Sequence, residues 1–138
     1  QPSIYKKVIQ LEKKGYIESE MVKEGNMAEK AVYSLTEEGE KEFEKLMLEI
    51  SEQPIRIFLD FNAVIVNLDS LSPENQQECL RKIEENVMLL KSYLEDNIHT
   101  KEQMPEIPET GKAVLQQQYQ LAQSMETWVH SIKAGLEK

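Results

Sequence analysis

The chain has 138 residues, 40% hydrophobic and 30% charged, which suits one ordinary domain or two small ones and excludes a mostly disordered chain. Cys79 is the sole cysteine, so an intramolecular disulfide is excluded and a reducing cytoplasm fits; no apolar run reaches the roughly 18 residues of a membrane span. The net charge of −9 is uneven, because residues 1–35 hold six Lys and five Glu (+1) while residues 36–138 carry −10, so the acidity does not exclude nucleic-acid binding by the first quarter.

The chain opens at Gln1, with neither an initiator Met nor a signal peptide, on what reads as the start of a helix. The sequence therefore reads as a fragment whose N-terminal part is missing. Residues 2–14 have helical spacing. At about 100° per residue, Leu11, Ile4, Gly15 and Val8 share one arc. Lys13, Lys6, Gln10, Ser3, Lys14 and Lys7 share the opposite one. That second arc holds four lysines and no acid. It reads either as a solvated surface face or as a face that lies against phosphates.

Gly15 ends the helical pattern. YIESEMV, residues 16–22, alternates as a strand does, the polar turn Lys23-Glu24-Gly25-Asn26 follows, and AVYSL, residues 31–35, is a second strand with Ala31, Tyr33 and Leu35 on one side. Thr36 then caps a helix whose first turn carries Glu37 and Glu38. Helix, hairpin and helix within about 50 residues make a winged-helix arrangement without its opening helices.

Residues 54–68, PIRIFLDFNAVIVNL, are apolar on nearly every side, a pattern that fits a buried helix or a buried strand; the β-branched residues lean towards strand, but the helices before and after favour a buried helix. Ser72 as N-cap and Pro73 at the first position open a long helix. Leu80, Ile83, Val87, Leu90 and Leu94 step through it by 3, 4, 3, 4, a coiled-coil seam. Residues 98–110, with Pro105 and Pro108, read as a loop. A last helix runs from about Thr110 to Gly135 with the line Val114, Leu121, Met125, Trp128, Ile132. Two such helices pair as a hairpin or across a dimer. The expected dimer interface is Leu80, Ile83, Val87, Leu90, Leu94, Leu121, Met125, Trp128 and Ile132.

No motif supports an enzyme, a metal or a cofactor. His99 and His130 are far apart in sequence, and Glu126 with His130 reads as a surface ion pair. Cys79 has no neighbouring base. Glu37–Glu38 and Glu84–Glu85 read as solvated faces. Met88, Tyr93, Tyr119 and Trp128 read first as core, and second as the lining of a pocket for a small apolar effector.

SIYKKVIQLEKKGYIESE and KAVYSLTEEGEKEFEKL resemble the PadR family of bacterial transcriptional regulators. The residues that carry the likeness are Ser3, Ile4, Tyr5, Leu11, Glu12, Gly15 and Ile17, then Tyr33, Leu35, Thr36 and Gly39. LSPEN at 71–75 and METWVHSIKAGL at 125–136 resemble the C-terminal helical domain of the longer members, which is itself similar to that of the virulence-activator regulators. The family often has Pro where Lys6 stands, and a basic wing tip where this chain has Gly25-Asn26-Met27-Ala28-Glu29.

The resemblance implies a mainly α fold with a small β-hairpin. A winged helix–turn–helix at 1–50, its first helices upstream of Gln1, would be followed by a helical dimerisation and effector domain at 51–138. It implies a cytoplasmic, ligand-responsive repressor that binds operator DNA as a homodimer, with no membrane. Ser3, Tyr5, Lys6, Lys7, Gln10, Lys13 and Lys14 would line the recognition helix, and Lys23 and Lys30 on the wing would touch phosphates. A chain so truncated would bind DNA weakly. The rival expectation is an acidic helical protein-interaction module with no DNA binding.

Overall fold

The computed structural model describes residues 4–136. The chain divides after Ile57 into two compact units.

The first unit holds helix α1 (Ile4–Lys13), the antiparallel strands β1 (Ile17–Val22) and β2 (Lys30–Leu35), and helix α2 (Glu37–Ser51). The hairpin register pairs Ile17 with Leu35, Ser19 with Tyr33 and Met21 with Ala31. Those six side chains therefore share one face, as the alternation predicts. The Thr36 hydroxyl caps α2 by accepting the Gly39 N–H at 3.0 Å. Helix α1 has no buried residue; on its apolar arc Ile4 is 82% exposed, Leu11 is exposed and Val8 is half-buried.

The second unit is a helical hairpin with a short helix laid on it. Helices α4 (Pro73–Glu102) and α5 (Glu109–Leu136) run antiparallel, joined by residues 103–108. The loop is thus shorter than residues 98–110, because α4 continues to Glu102. Ser72 caps α4 and Pro73 begins it, as expected. Ile83, Val87 and Val129 form the core, against which Phe61, Val64, Ile65, Met125 and Trp128 pack. Leu80, Leu94 and Ala122 are also buried. Phe61 stacks on Trp128 with ring centroids 5.7 Å apart.

Residues 54–68 do not form the buried helix expected of them. Only α3 (Asn62–Val66) is helical, followed by a 3₁₀ turn at Leu68–Ser70. Ile55 is 92% exposed, and Ile57 and Phe58 also face solvent. Pro54 lacks the N–H an interior helical position uses, and the β-branched Ile55 and Ile57 favour extended backbone. The Gln76 side-chain amide donates to the carbonyls of Leu68 and Leu71 at 3.0 and 3.1 Å, tying the turn to the first turns of α4.

The seam of the hairpin also differs from the one read off the sequence. Leu80, Ile83, Val87 and Leu94 are buried in it, but Leu90 is 41% exposed. Lys91 takes the place and bonds Glu126 of α5 at 3.2 Å. Likewise Ala122 and Val129 are buried on α5, while Val114 and Leu121 lie outside. Counting only large apolar side chains hid an alanine and an ion pair in the seam.

Candidate nucleic-acid interface

Helix α1 ends in a glycine corner. Gly15 adopts φ 81°, the Tyr16 N–H donates to the Leu11 carbonyl at 3.1 Å, and the Gly15 N–H donates to the Glu12 carbonyl at 3.0 Å. This is the Schellman pattern, which turns the chain sharply and satisfies the last helical carbonyls. Strand β1 starts two residues later, so α1 and the hairpin are set against each other by one short corner.

The start of α2 grips the same corner. The Thr36 N–H donates to the Tyr16 carbonyl at 3.0 Å, and the Thr36 hydroxyl donates to the Gly15 carbonyl. Gly39, buried, sits against the backbone of Tyr16. Helix, wing and α2 thus share one anchoring point.

Tyr5, Lys6, Lys7, Gln10, Lys13 and Lys14 are all exposed. Ser3 lies outside the described residues. Glu12 is the only acid of α1, and the Ser19 hydroxyl of β1 donates to its carboxylate at 2.7 Å. That bond holds the one negative group at the edge of the helix facing the hairpin, away from the lysine arc. Among the described residues, Lys7, Lys13 and Lys14 form no ion pair. The result is an exposed face rich in cations. Lys23 and Lys30 flank the hairpin loop, one just after β1 and the other at the start of β2, opposite Val22.

In the second unit, the predicted interface residues Leu80, Ile83, Val87 and Leu94 are enclosed within the chain's own hairpin, and Met125, Trp128 and Ile132 are half-buried there. Leu90 and Leu121 remain exposed, joined by Leu89 and Tyr93, which lie outside the interface expected from the sequence. Leu89, Leu90 and Tyr93 fall within one arc of α4.

The four residues suggested for an effector do not converge. Met88 lines a groove with Arg81, Glu84, Glu85, Leu89 and Ser92. Tyr119 lines a second with Glu95, Ile98 and Gln116, and Trp128 a third with Gln120, Gln123 and Thr127. Tyr93 is exposed.

The hairpin's polar groups pair across it. Lys91 bonds Glu126, which holds its ammonium above the usual lysine range, and the Tyr119 hydroxyl donates to Glu95 at 2.9 Å, which raises the phenol. Glu84 bonds both Lys133 at 3.2 Å and His130 at 3.1 Å. The expected Glu126–His130 pair is therefore replaced by two pairs that cross between helices. Among the described residues, no group of three or more His, Cys, Asp or Glu could hold a metal ion, and no helix is long and apolar enough to cross a membrane.

A helix that ends in a glycine corner, a two-stranded wing and a capped following helix define a winged-helix unit. Residues 1–45 match the family model described as the transcriptional regulator PadR-like family. The whole chain is similar in fold to solved structures. Bacillus subtilis PadR in complex with operator DNA aligns with a TM-score of 0.76 at 23% identity, covering 97% of this chain and 78% of that one. Bacillus subtilis PadR in complex with p-coumaric acid aligns with a TM-score of 0.78 at 22% identity, covering 98% and 77%. A PadR-like transcriptional regulator from Bacillus cereus gives 0.58 at 22%, covering 97% and 72%. No curated protein matches the chain.

Proposed function

We propose that the chain is a DNA-binding transcriptional regulator, a ligand-responsive repressor that acts as a homodimer in the cytoplasm and has no enzymatic role. The observation that carries this reading is the lysine face of α1, with its only acid tied back to Ser19. Tyr5, Lys6, Lys7 and Gln10 enter a major groove, with Lys13 and Lys14 at the far end of the helix and Lys23 and Lys30 at the wing reaching phosphates. The fold shared with a PadR solved on operator DNA supports the same reading.

The second unit brings two copies together through Leu89, Leu90 and Tyr93 of α4, with Leu121 of α5. The acidity of residues 36–138 keeps the duplex on the cationic side. The PadR solved with p-coumaric acid supports a small-molecule effector.

The test is fluorescence anisotropy on a random duplex of about 30 base pairs over a salt series. The affinity falls with salt on a log–log slope of several units, and Lys6→Gln with Lys7→Gln lowers that slope by about 2. Absence of binding at low salt would overturn the proposal. It would instead favour an acidic module that binds protein.

A further inference from the structure

Three polar rungs cross the α4–α5 hairpin. Lys133 bonds Glu84 at 3.2 Å, Lys91 bonds Glu126 at 3.2 Å, and the Tyr119 hydroxyl donates to Glu95 at 2.9 Å. On α5 the three members, 133, 126 and 119, stand seven residues apart, a spacing that returns to the same face after two turns. The next step along that row is Lys112. On α4 the position seven beyond Glu95 is Glu102, so a fourth rung is expected between Lys112 and Glu102.

That rung does not close. Lys112 instead bonds Glu109 of its own helix at 3.4 Å, although Glu109 is 89% exposed. Among the described residues, neither Glu102 nor its neighbour Lys101 forms an ion pair. A cavity of about 360 Å³ lies where the rung is missing. Lys101 and Glu102 line it from the last turn of α4 and Lys112 from the first turn of α5, while Ile98 and Leu115 supply apolar surface. Lys101, Lys112, Ile98 and Leu115 are all half-buried.

The charges narrow the ligand. An ammonium that has lost part of its water gains most from a direct, charge-assisted hydrogen bond. An acid alone would answer the two lysines but set a second negative charge beside Glu102. An amine alone would answer Glu102 but face Lys101 and Lys112. A neutral apolar molecule would cover Ile98 and Leu115 and leave Lys101 and Glu102 without partners. A free α-amino acid with an apolar side chain meets all three conditions. Its carboxylate suits the lysines, its ammonium suits Glu102, and its hydrocarbon group suits Ile98 and Leu115. The volume agrees, since it lies near the lower end of the roughly 300–1,000 Å³ of small-molecule sites.

We propose that this cavity, at the end of the hairpin next to residues 103–108, is a binding site for an apolar α-amino acid. The ligand completes the ladder by standing between Glu102 and the lysines as the fourth rung. The site lies wholly within the second unit and does not depend on the DNA-binding reading.

The experiment is isothermal titration calorimetry of the full chain, without DNA, with L-leucine and L-phenylalanine. Two half-ligands serve as comparisons: 4-methylpentanoate, which lacks the amine of leucine, and 3-methylbutylamine, which lacks its carboxylate. At least one of the two amino acids binds saturably at one site per chain, and both half-ligands bind at least tenfold more weakly than leucine or not at all. Glu102→Gln lowers amino-acid affinity roughly tenfold and narrows the preference over 4-methylpentanoate; Lys101→Gln lowers it likewise and narrows the preference over 3-methylbutylamine. Both side chains lack ion-pair partners, so circular dichroism of the two variants matches the wild type. The proposal is overturned if neither amino acid binds, if 4-methylpentanoate binds as well as leucine, or if both variants bind as the wild type does. Each of those results leaves the DNA-binding reading standing, because that reading is tested on the duplex alone.

Discussion

A methyl group built on Gly39 would lie 1.8 Å from the carbonyl oxygen of Tyr16 and 2.8 Å from its carbonyl carbon. The obstruction is backbone, and that backbone also accepts the Thr36 N–H, so it cannot move aside without losing the corner. Gly39→Ala should destabilise the first unit by about 2–4 kcal/mol. Thr36→Ala, which removes only the cap, should cost about 1 kcal/mol. Thermal melts followed by far-ultraviolet circular dichroism would rank the two, and equal costs would contradict the close approach.

Seam and outer face of α4 should separate cleanly. Leu80 is fully buried, so Leu80→Ala should cost about 2–5 kcal/mol in urea unfolding. Leu90 lies outside the hairpin, so Leu90→Glu should leave the stability of one chain almost unchanged. It should halve the mass seen in sedimentation equilibrium, because the proposed contact between copies uses that face. A dimer that survives Leu90→Glu together with Leu89→Glu would place the contact elsewhere.

Lys91 and Glu126 retain 20% and 22% of their side-chain exposure in the seam. Breaking one partner strands the other in a largely apolar contact, so Lys91→Met and Glu126→Leu should each lower the melting temperature. The double variant should recover most of the loss, since two apolar side chains fit a helical seam. Additive losses in the double-mutant cycle would show that the pair is not coupled.

The alkaline limit of stability should lie in the same hairpin. Hydrogen bonding to Glu126 raises Lys91, and hydrogen bonding to Glu95 raises Tyr119. Both groups hold their proton more tightly when folded. As pH rises past about 10, the unfolded chain releases those protons first and folding loses their contribution. The urea midpoint should be insensitive to these groups between about pH 7 and 9 and decline above 10. Tyr119→Phe should make that decline shallower.

Much of this was legible in the residues. Ser72-Pro73 and Thr36 announced two helix starts, because capping is local chemistry. Gly15 marked the end of α1 for the same reason. Alternation placed Ala31, Tyr33 and Leu35 on one face. The lysine arc followed from helical geometry alone, but Ser19 holding Glu12 did not, since that bond joins a helix to a strand. Residues 54–59 misled, because apolar content says nothing about burial when Pro54 and β-branched neighbours favour extended chain. The seam slipped from Leu90 to Lys91 because a lysine with a partner on the facing helix can sit where a leucine is expected. Phe61 carries no local signal for a similar reason, as its stacking partner lies far away in sequence at Trp128.

The loop at 103–108 has a consequence for how copies of this chain assemble. Every contact that holds α4 to α5 could form equally well between the α4 of one molecule and the α5 of another. The loop lets the chain fold back on itself, so within one molecule those contacts form between its own two helices. Shortened until it cannot reverse direction, it would force α5 outward into a neighbour, giving an intertwined, domain-swapped pair. The allocation of the seam to one chain or two is therefore written into its briefest segment.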